Sequence, residues 1–326
     1  MISTIFVEKI KVIMQTIKPS ALVKGDLIGI ISPASTPDDL NRIQSSVNYL
    51  EKLGYSVEVG KNVGKYRGYL AGTDEERLND LHSMFKNKNV KAIFSLRGGY
   101  GAFRLLDKID YRLIKSNPKI FVGYSEITSL QNAIFTKTGL ITFAGPMPAV
   151  DFATEISPFT EEFFWNLITS KKKIGKIKYP AEPEPQCLRK GTASGQIIGG
   201  NLAVLTALLG TKYLAEMKNK ILFVEDINEA PYKVDRLLNQ LRLSGVFSKI
   251  KGIILGRFVD CYEDDANKKT LTLGEVIDDY ICPLKIPSIY VFPHGHIKDF
   301  VTIPIGLKIK MDSGKTSVEF LEPAVS

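Results

Sequence analysis

From Gly25 to Lys137, short apolar runs alternate with segments whose apolar residues recur at helical spacing. Leu27–Ile31 reads as a buried strand. Ser35-Thr36-Pro37-Asp38-Asp39 supplies cap and first-turn signals for a helix through about Lys52. Ser56–Val59 predicts a short strand, and Thr73-Asp74-Glu75-Glu76 opens a second helix ending near Asn87. Val90–Leu96 is a strand that runs into Arg97-Gly98-Gly99-Tyr100-Gly101, and a helix from about Ala102 covers Leu105 and Leu106. Lys119–Tyr124 predicts another strand, followed directly by a helix from Glu126 to about Lys137. Buried strands alternating with helices imply a parallel sheet covered on both faces. In such sheets ligands bind outside the carboxyl ends of the strands. The glycine turn and the Tyr124-Ser125-Glu126 turn both lie there.

The pattern changes after Asp151. Ser157-Pro158 starts one amphipathic helix to about Ile168. Lys171-Lys172-Lys173, Lys176, Lys178 and the proline-spaced Pro180–Pro185 resemble an interdomain linker. Beyond it, Gly195–Gly200 leads into a helix at Asn201–Leu209, and Val234–Val246 has helical spacing. Ile221–Val224, Ile250–Leu255, Ser288–Phe292, Val301–Ile309 and Ser317–Leu321 read as strands. The expected class is α/β: an N-terminal domain with a parallel sheet over 20–168, a linker over 169–192, and a strand-rich C-terminal α/β domain over 193–326.

The length of 326 residues agrees with two domains at roughly 150 residues each. Scarce residues narrow the chemistry further. Three cysteines (Cys187, Cys261, Cys282) without a C-x-x-C pair disfavour a disulfide scaffold or thiolate zinc site. Three histidines (His82, His294, His296) without metal-ligand spacing disfavour a metal hydrolase, so neither metal nor cofactor is expected. The net charge of +8 would suit an anionic partner, but much of it sits in the 171–178 lysines, so it reads as a solvated surface rather than a nucleic-acid footprint. No run of 18 apolar residues exists, so no membrane span is expected. Met1–Pro19 lacks the unbroken apolar core of a secretory signal and reads as a loose or partner-docked leader, with Met14 an alternative start. A cytoplasmic location is the expectation.

Four places could carry chemistry. Ser125 at a strand-to-helix turn could be an exposed nucleophile, with the next N–H aimed at an oxyanion; it could equally be a helix N-cap. The glycine turn 97–101 lets backbone approach a ligand, and could supply a second oxyanion donor, cradle a phosphate, or simply be a tight turn. Glu225-Asp226-Ile227-Asn228-Glu229 could orient a histidine or cap a helix. Pro293-His294-Gly295-His296 could hold a base. Together they offer a nucleophile, an acid and a base in the order Ser, Glu, His, an order shared with α/β-hydrolases.

These stretches, with Gly25–Ser35, Gly199-Gly200-Asn201-Leu202 and Val224–Tyr232, resemble the LD-carboxypeptidase family of serine peptidases, which includes the microcin C self-immunity peptidases. The similarity in order and spacing runs from about Gly25 to Gly306. The resemblance implies Ser125 as nucleophile, Glu225 as orienting carboxylate and His296, the histidine after glycine, as base. It implies oxyanion N–H donors from Glu126 and from the glycine turn, Gly99 first and Gly98 second. At position 126 the family usually has Asp; since only the backbone N–H is required, the change should be tolerated. At His294 the family more often has an apolar residue, which leaves an exchange of histidine roles open. The implied protein is a homodimer without metal, with a Rossmann-like N-terminal domain joined to a strand-rich C-terminal domain and the triad assembled across the two. It would release terminal D-Ala from murein tetrapeptide in cell-wall recycling. Two alternatives remain: a peptidase for microcin C-like peptidyl-adenylate analogues, for which Trp165 is a weak candidate stacking group, or an inactive muropeptide-binding homologue.

Overall fold

The computed structural model describes residues 15–180, 183–265 and 267–326. In chain order the elements are β1 (Leu27–Ile31), α1 (Asn41–Lys52), β2 (Ser56–Val59), α2 (Asp74–Lys86), β3 (Val90–Ser95), α3 (Tyr111–Ser116), β4 (Ile120–Gly123), α4 (Thr128–Thr138), β5 (Thr142–Ala144) and α5 (Pro158–Thr169). They continue with β6 (Gly175–Lys176), β7 (Gln186–Arg189), β8 (Thr192–Asn201), α6 (Leu202–Ala207), β9 (Ile221–Ile227), α7 (Pro231–Leu243) and β10 (Gly252–Val259). Then follow α8 (Leu273–Ile281), β11 (Ser288–Tyr290), β12 (Ile303–Ile305), β13 (Lys308–Asp312) and β14 (Ser317–Phe320).

The strands form two sheets. The first has the order β12-β5-β4-β3-β1-β2, and β2, β1, β3, β4 and β5 are parallel. The order reverses between β1 and β3, which makes a crevice at their carboxyl ends. The second sheet runs β6-β14-β13-β8-β9-β10-β11-β7, with a parallel centre of β8, β9, β10 and β11 and antiparallel flanks. This is the expected mixed α/β class. The central strands are buried on both faces: Ile28, Ile30, Ile93, Phe94, Phe121 and Val122 in the first sheet, and Leu222, Phe223, Ile253 and Ile254 in the second, are fully inaccessible.

Local signals explain several boundaries. Thr73 and Glu76 form a complete capping box at α2, and Ser157 caps α5 ahead of Pro158. At α1 the expected end at Lys52 holds, and only the start differs. The helix begins at Asn41 without a side-chain cap, and Ser35–Asp39 stay in a loop beside the crevice.

The two halves interlock more closely than a linker would suggest. Residues 169–192 contain β6 and β7, which are the two edges of the second sheet. Val301–Ile309 is not one strand either. Gly306 (φ +96°) turns the chain between β12, which pairs antiparallel with β5, and β13, which pairs with β8. A Cβ at Gly306 would lie 2.2 Å from the Phe135 ring of α4, so only glycine fits. Thr128 Oγ1 in α4 accepts the N–H of Asn201 at 3.0 Å, and Asn132 Nδ2 donates to the Gly199 carbonyl at 2.9 Å. Of the leader, residues 1–14 lie outside the described residues. Ile17 is fixed to the body by the Gly139 carbonyl at 2.8 Å.

Candidate active site

β4 ends at Gly123, where a Cβ would stand 2.9 Å from Ile127 Cγ2, so the chain turns tightly there. Tyr124 is extended, and Ser125 has φ +61°. A non-glycine residue in this region carries strain of roughly 1–3 kcal/mol, held here by packing around the turn. The Ser125 hydroxyl is half-buried and caps nothing: neither the short 3-10 turn 125–127 nor α4 has a side-chain cap. A strained serine at a strand-to-helix bend presents its hydroxyl outward, as a nucleophile elbow does.

Gly98 packs against this serine. A Cβ there would lie 3.0 Å from Ser125 Cβ, 3.2 Å from Ser125 Oγ and 3.5 Å from the Glu126 nitrogen. The Gly98 carbonyl accepts the Ser35 N–H at 3.3 Å. Carbonyl and N–H point in opposite directions across a trans peptide, so the Gly99 N–H turns away from Ser35. Ser35 Oγ accepts the Tyr100 N–H at 3.1 Å, which holds the turn from the β1 side.

Glu126 does more than its backbone suggested. Its carboxylate is 5% exposed and accepts the N–H groups of Gly101 at 2.9 Å and Ala102 at 2.8 Å. Burial raises its pKa, against these hydrogen bonds. The side chain therefore ties the glycine turn to the serine turn, a role that sequence reasoning missed.

The second sheet contributes a carboxylate and an imidazole. Glu225, in β9, is 1% exposed, and its Oε2 accepts from His296 Nδ1 at 2.9 Å. With Glu225 ionised, Nδ1 carries the proton and Nε2 keeps a lone pair. Burial alone would lower the His296 pKa. The hydrogen bond and charge of Glu225, with the charges of Asp226 and Asp151, outweigh burial and hold it above its usual value. Two glycines permit this contact. A Cβ at Gly256 would meet the His294 carbonyl at 2.5 Å, and one at Gly295 (φ +140°) would meet the Arg257 carbonyl at 3.0 Å and Glu225 Oε2 at 3.2 Å.

His294 has a different place. It is 1% exposed, donates from Nδ1 to the Val301 carbonyl at 2.6 Å, and sits edge-on between Phe223 and Phe300. Burial lowers its pKa, so it is neutral.

The two sheets meet at Tyr124, whose ring lies edge-on to His296 with centroids 5.2 Å apart. The Tyr124 hydroxyl interacts with Asp151, which lies in a π-helical turn at 148–152. Asp151 also accepts the Met147 N–H at 2.7 Å, and burial pushes its pKa up to about 6. Behind Glu225, Asp226 accepts from Asn201 Nδ2 at 2.8 Å and from the Ala203 N–H at 2.9 Å. Asp151 was invisible in the sequence, where it is one acid after an apolar stretch. Trp165 is not near these groups. It stacks on Tyr55 at 5.1 Å and donates to the Tyr49 hydroxyl at 3.1 Å, within the first half's aromatic cluster. Among the described residues, no group of three or more His, Cys, Asp or Glu side chains is arranged to hold a metal ion, and no helix is long and apolar enough to cross a membrane.

Comparison with known proteins places the whole chain in one family. The N-terminal domain of the LD-carboxypeptidase family matches residues 28–145, and its C-terminal domain matches residues 194–311. The chain is 41% identical over 312 residues to a probable murein peptide carboxypeptidase of Bacillus subtilis, covering 95% of each. It is 32% identical to the microcin C7 self-immunity protein MccF of Escherichia coli, covering 94% of this chain and 96% of that protein. A structure of wild-type MccF superposes with a TM-score of 0.87 at 30% identity, covering 95% of this chain and 100% of that one. The muramoyltetrapeptide carboxypeptidase of Oxalobacter formigenes superposes with a TM-score of 0.80 at 31% identity, covering 90% and 97%. With both domains of the family matched in order, and relatives similar across nearly their whole length, the chain belongs to the LD-carboxypeptidase family.

Proposed function

We propose that this protein is a serine carboxypeptidase that hydrolyses the amide between an L-configured centre and a terminal D-residue, releasing D-Ala from murein tetrapeptide. One observation carries the reading: the Glu225–His296 pair abuts Tyr124, the residue just before the strained Ser125. In the mechanism, His296 Nε2 takes the Ser125 hydroxyl proton as Oγ attacks the scissile carbonyl. Glu225 holds the Nδ1 proton and stabilises the imidazolium. The Glu126 N–H and a glycine-turn N–H, from Gly99 or Gly98, hold the oxyanion of the tetrahedral intermediate. His296 then gives its proton to the departing amine, and as base again it activates water to hydrolyse the acyl-enzyme.

The similarity to murein peptide carboxypeptidases supports the substrate. The packing of Trp165 among aromatic side chains removes the one candidate stacking group for a peptidyl-adenylate, so the murein reading is preferred. On the same reading the enzyme acts in the cytoplasm, in recycling, as a homodimer whose triad draws on two domains.

Purified protein incubated with murein tetrapeptide should release D-Ala, and Ser125→Ala should lose at least about 10³-fold in rate. Absence of D-Ala release overturns the substrate assignment. Release that survives Ser125→Ala overturns the mechanism.

A further inference from the structure

A terminal carboxylate must be held while the bond beside it is cut. A cleft of ≈ 350 Å³ lies at the crevice between β1 and β3, lined by Pro37, Asp38, Asp39, Arg42, Arg97 and Ala149, with Val150 at its edge. Its position is the topological switch point of the first sheet, where open α/β sheets take their ligands. Two of its lining residues are chain neighbours of residues at the candidate site. Arg97 precedes Gly98, which packs on Ser125, and Val150 precedes Asp151, which faces His296.

The two guanidiniums in this cleft are underused. Among the described residues, Arg42 Nη1 donates to the Ala149 carbonyl at 3.1 Å, and Arg97 Nη1 reaches only the Thr36 carbonyl at 3.5 Å; neither makes an ion pair. Arg77 in the same half shows the contrast. It is 1% exposed, and its two Nη atoms are engaged by the carbonyls of Pro33 and Gly101 and by Asp74. The half-buried Arg97, with one long hydrogen bond and no ion pair, presents a planar fork that matches a carboxylate. The acids Asp38 and Asp39 share the cleft, and Asp39 Oδ1 already accepts the Asn41 N–H at 3.0 Å. Two cations opposed by two anions suit a singly charged carboxylate and disfavour a phosphate dianion.

We infer that Arg97, assisted by Arg42, binds the terminal carboxylate of the leaving residue, making this cleft the exit-side subsite of the enzyme. The inference rests on the carboxypeptidase reading above, and its test separates the two. Murein tetrapeptide and its C-terminal amide are titrated calorimetrically into Ser125→Ala protein, which does not consume them. The free acid should bind about 10- to 100-fold tighter than the amide, the range of a hydrogen-bonded charge. Arg97→Gln should abolish that preference, and Arg97→Lys should keep part of it. Equal affinity for acid and amide overturns the subsite. So does an Arg97→Gln protein that loses acid and amide binding alike, because the arginine then only shapes the turn. Should Arg97→Gln fail to fold, Arg42→Gln tests the opposite wall and should narrow the preference; an unchanged preference there overturns the inference. D-Ala release by the wild-type protein judges the reaction independently, since an acid preference without release leaves the subsite standing and the reaction fallen.

Discussion

The two halves of the molecule supply the site in different ways. The first sheet works through backbone: a serine at φ +61°, a glycine pressed on it, and a turn clasped by Glu126. The second sheet works through buried side chains: a carboxylate 1% exposed and an imidazole 17% exposed, 2.9 Å apart. Backbone-held parts should respond to added atoms and, the Glu126 carboxylate aside, be indifferent to charge. Side-chain-held parts should respond to charge and pH.

The sharpest test lies in the second half, within one turn. His296→Ala should reduce kcat/KM by about 10³-fold or more while the melting temperature stays near wild type. His294→Ala should do the reverse. Losing a buried hydrogen-bonded ring should cost about 1–3 kcal/mol in denaturant titration, with the smaller effect on rate. If His294→Ala is the variant that abolishes turnover, the roles are exchanged.

In the first half, Gly98→Ala adds one methyl group 3.2 Å from the serine oxygen. Steady-state kinetics should show kcat lowered by about 10- to 100-fold, since small misplacements of reacting groups are costly. The pH profile should keep its shape, because no titrating group has changed. A displaced profile with normal kcat would break the division between the halves.

The smallest effect is the acid limb itself. In the proposed mechanism His296 must be neutral to accept a proton, and Glu225, Asp226 and Asp151 hold its pKa above the usual 6.5. Activity should therefore fall as pH drops through a value above 6.5. In Glu225→Gln the main raising influence is gone and burial remains, so the limb should move to lower pH, with a lower plateau. A limb that stays in place would assign the titration to another group.

Much of this arrangement was legible in the sequence. Ser125, Glu225 and His296 each sit beside glycine or at a strand end, in a pattern shared with a family. The edges were harder. Residues 169–192 read as a linker because of their lysines and prolines, yet two short edge strands, β6 and β7, flank the prolines and attach the segment to the second sheet. Val301–Ile309 reads as one apolar strand, because nothing local says that Gly306 divides it between two sheets. The acids of Ser35–Asp39 looked like helix caps, but they line the arginine cleft. Asp151 and the Glu126 carboxylate gain their roles only from partners distant in sequence.

The β12–β5 pairing also bears on how the protein is made. Until β12 arrives, β5 presents an unpaired edge in the sheet that carries the serine. About 160 residues separate Ala144 from Ile303, so at 5–20 residues per second the ribosome leaves that edge open for roughly 10–30 s. During that time the nascent sheet is a template for another chain's strand, and two chains on one message could exchange β12. A fragment ending before β12 would carry Ser125 on an open sheet. Splitting this protein between its halves would therefore give an aggregation-prone fragment rather than a free domain.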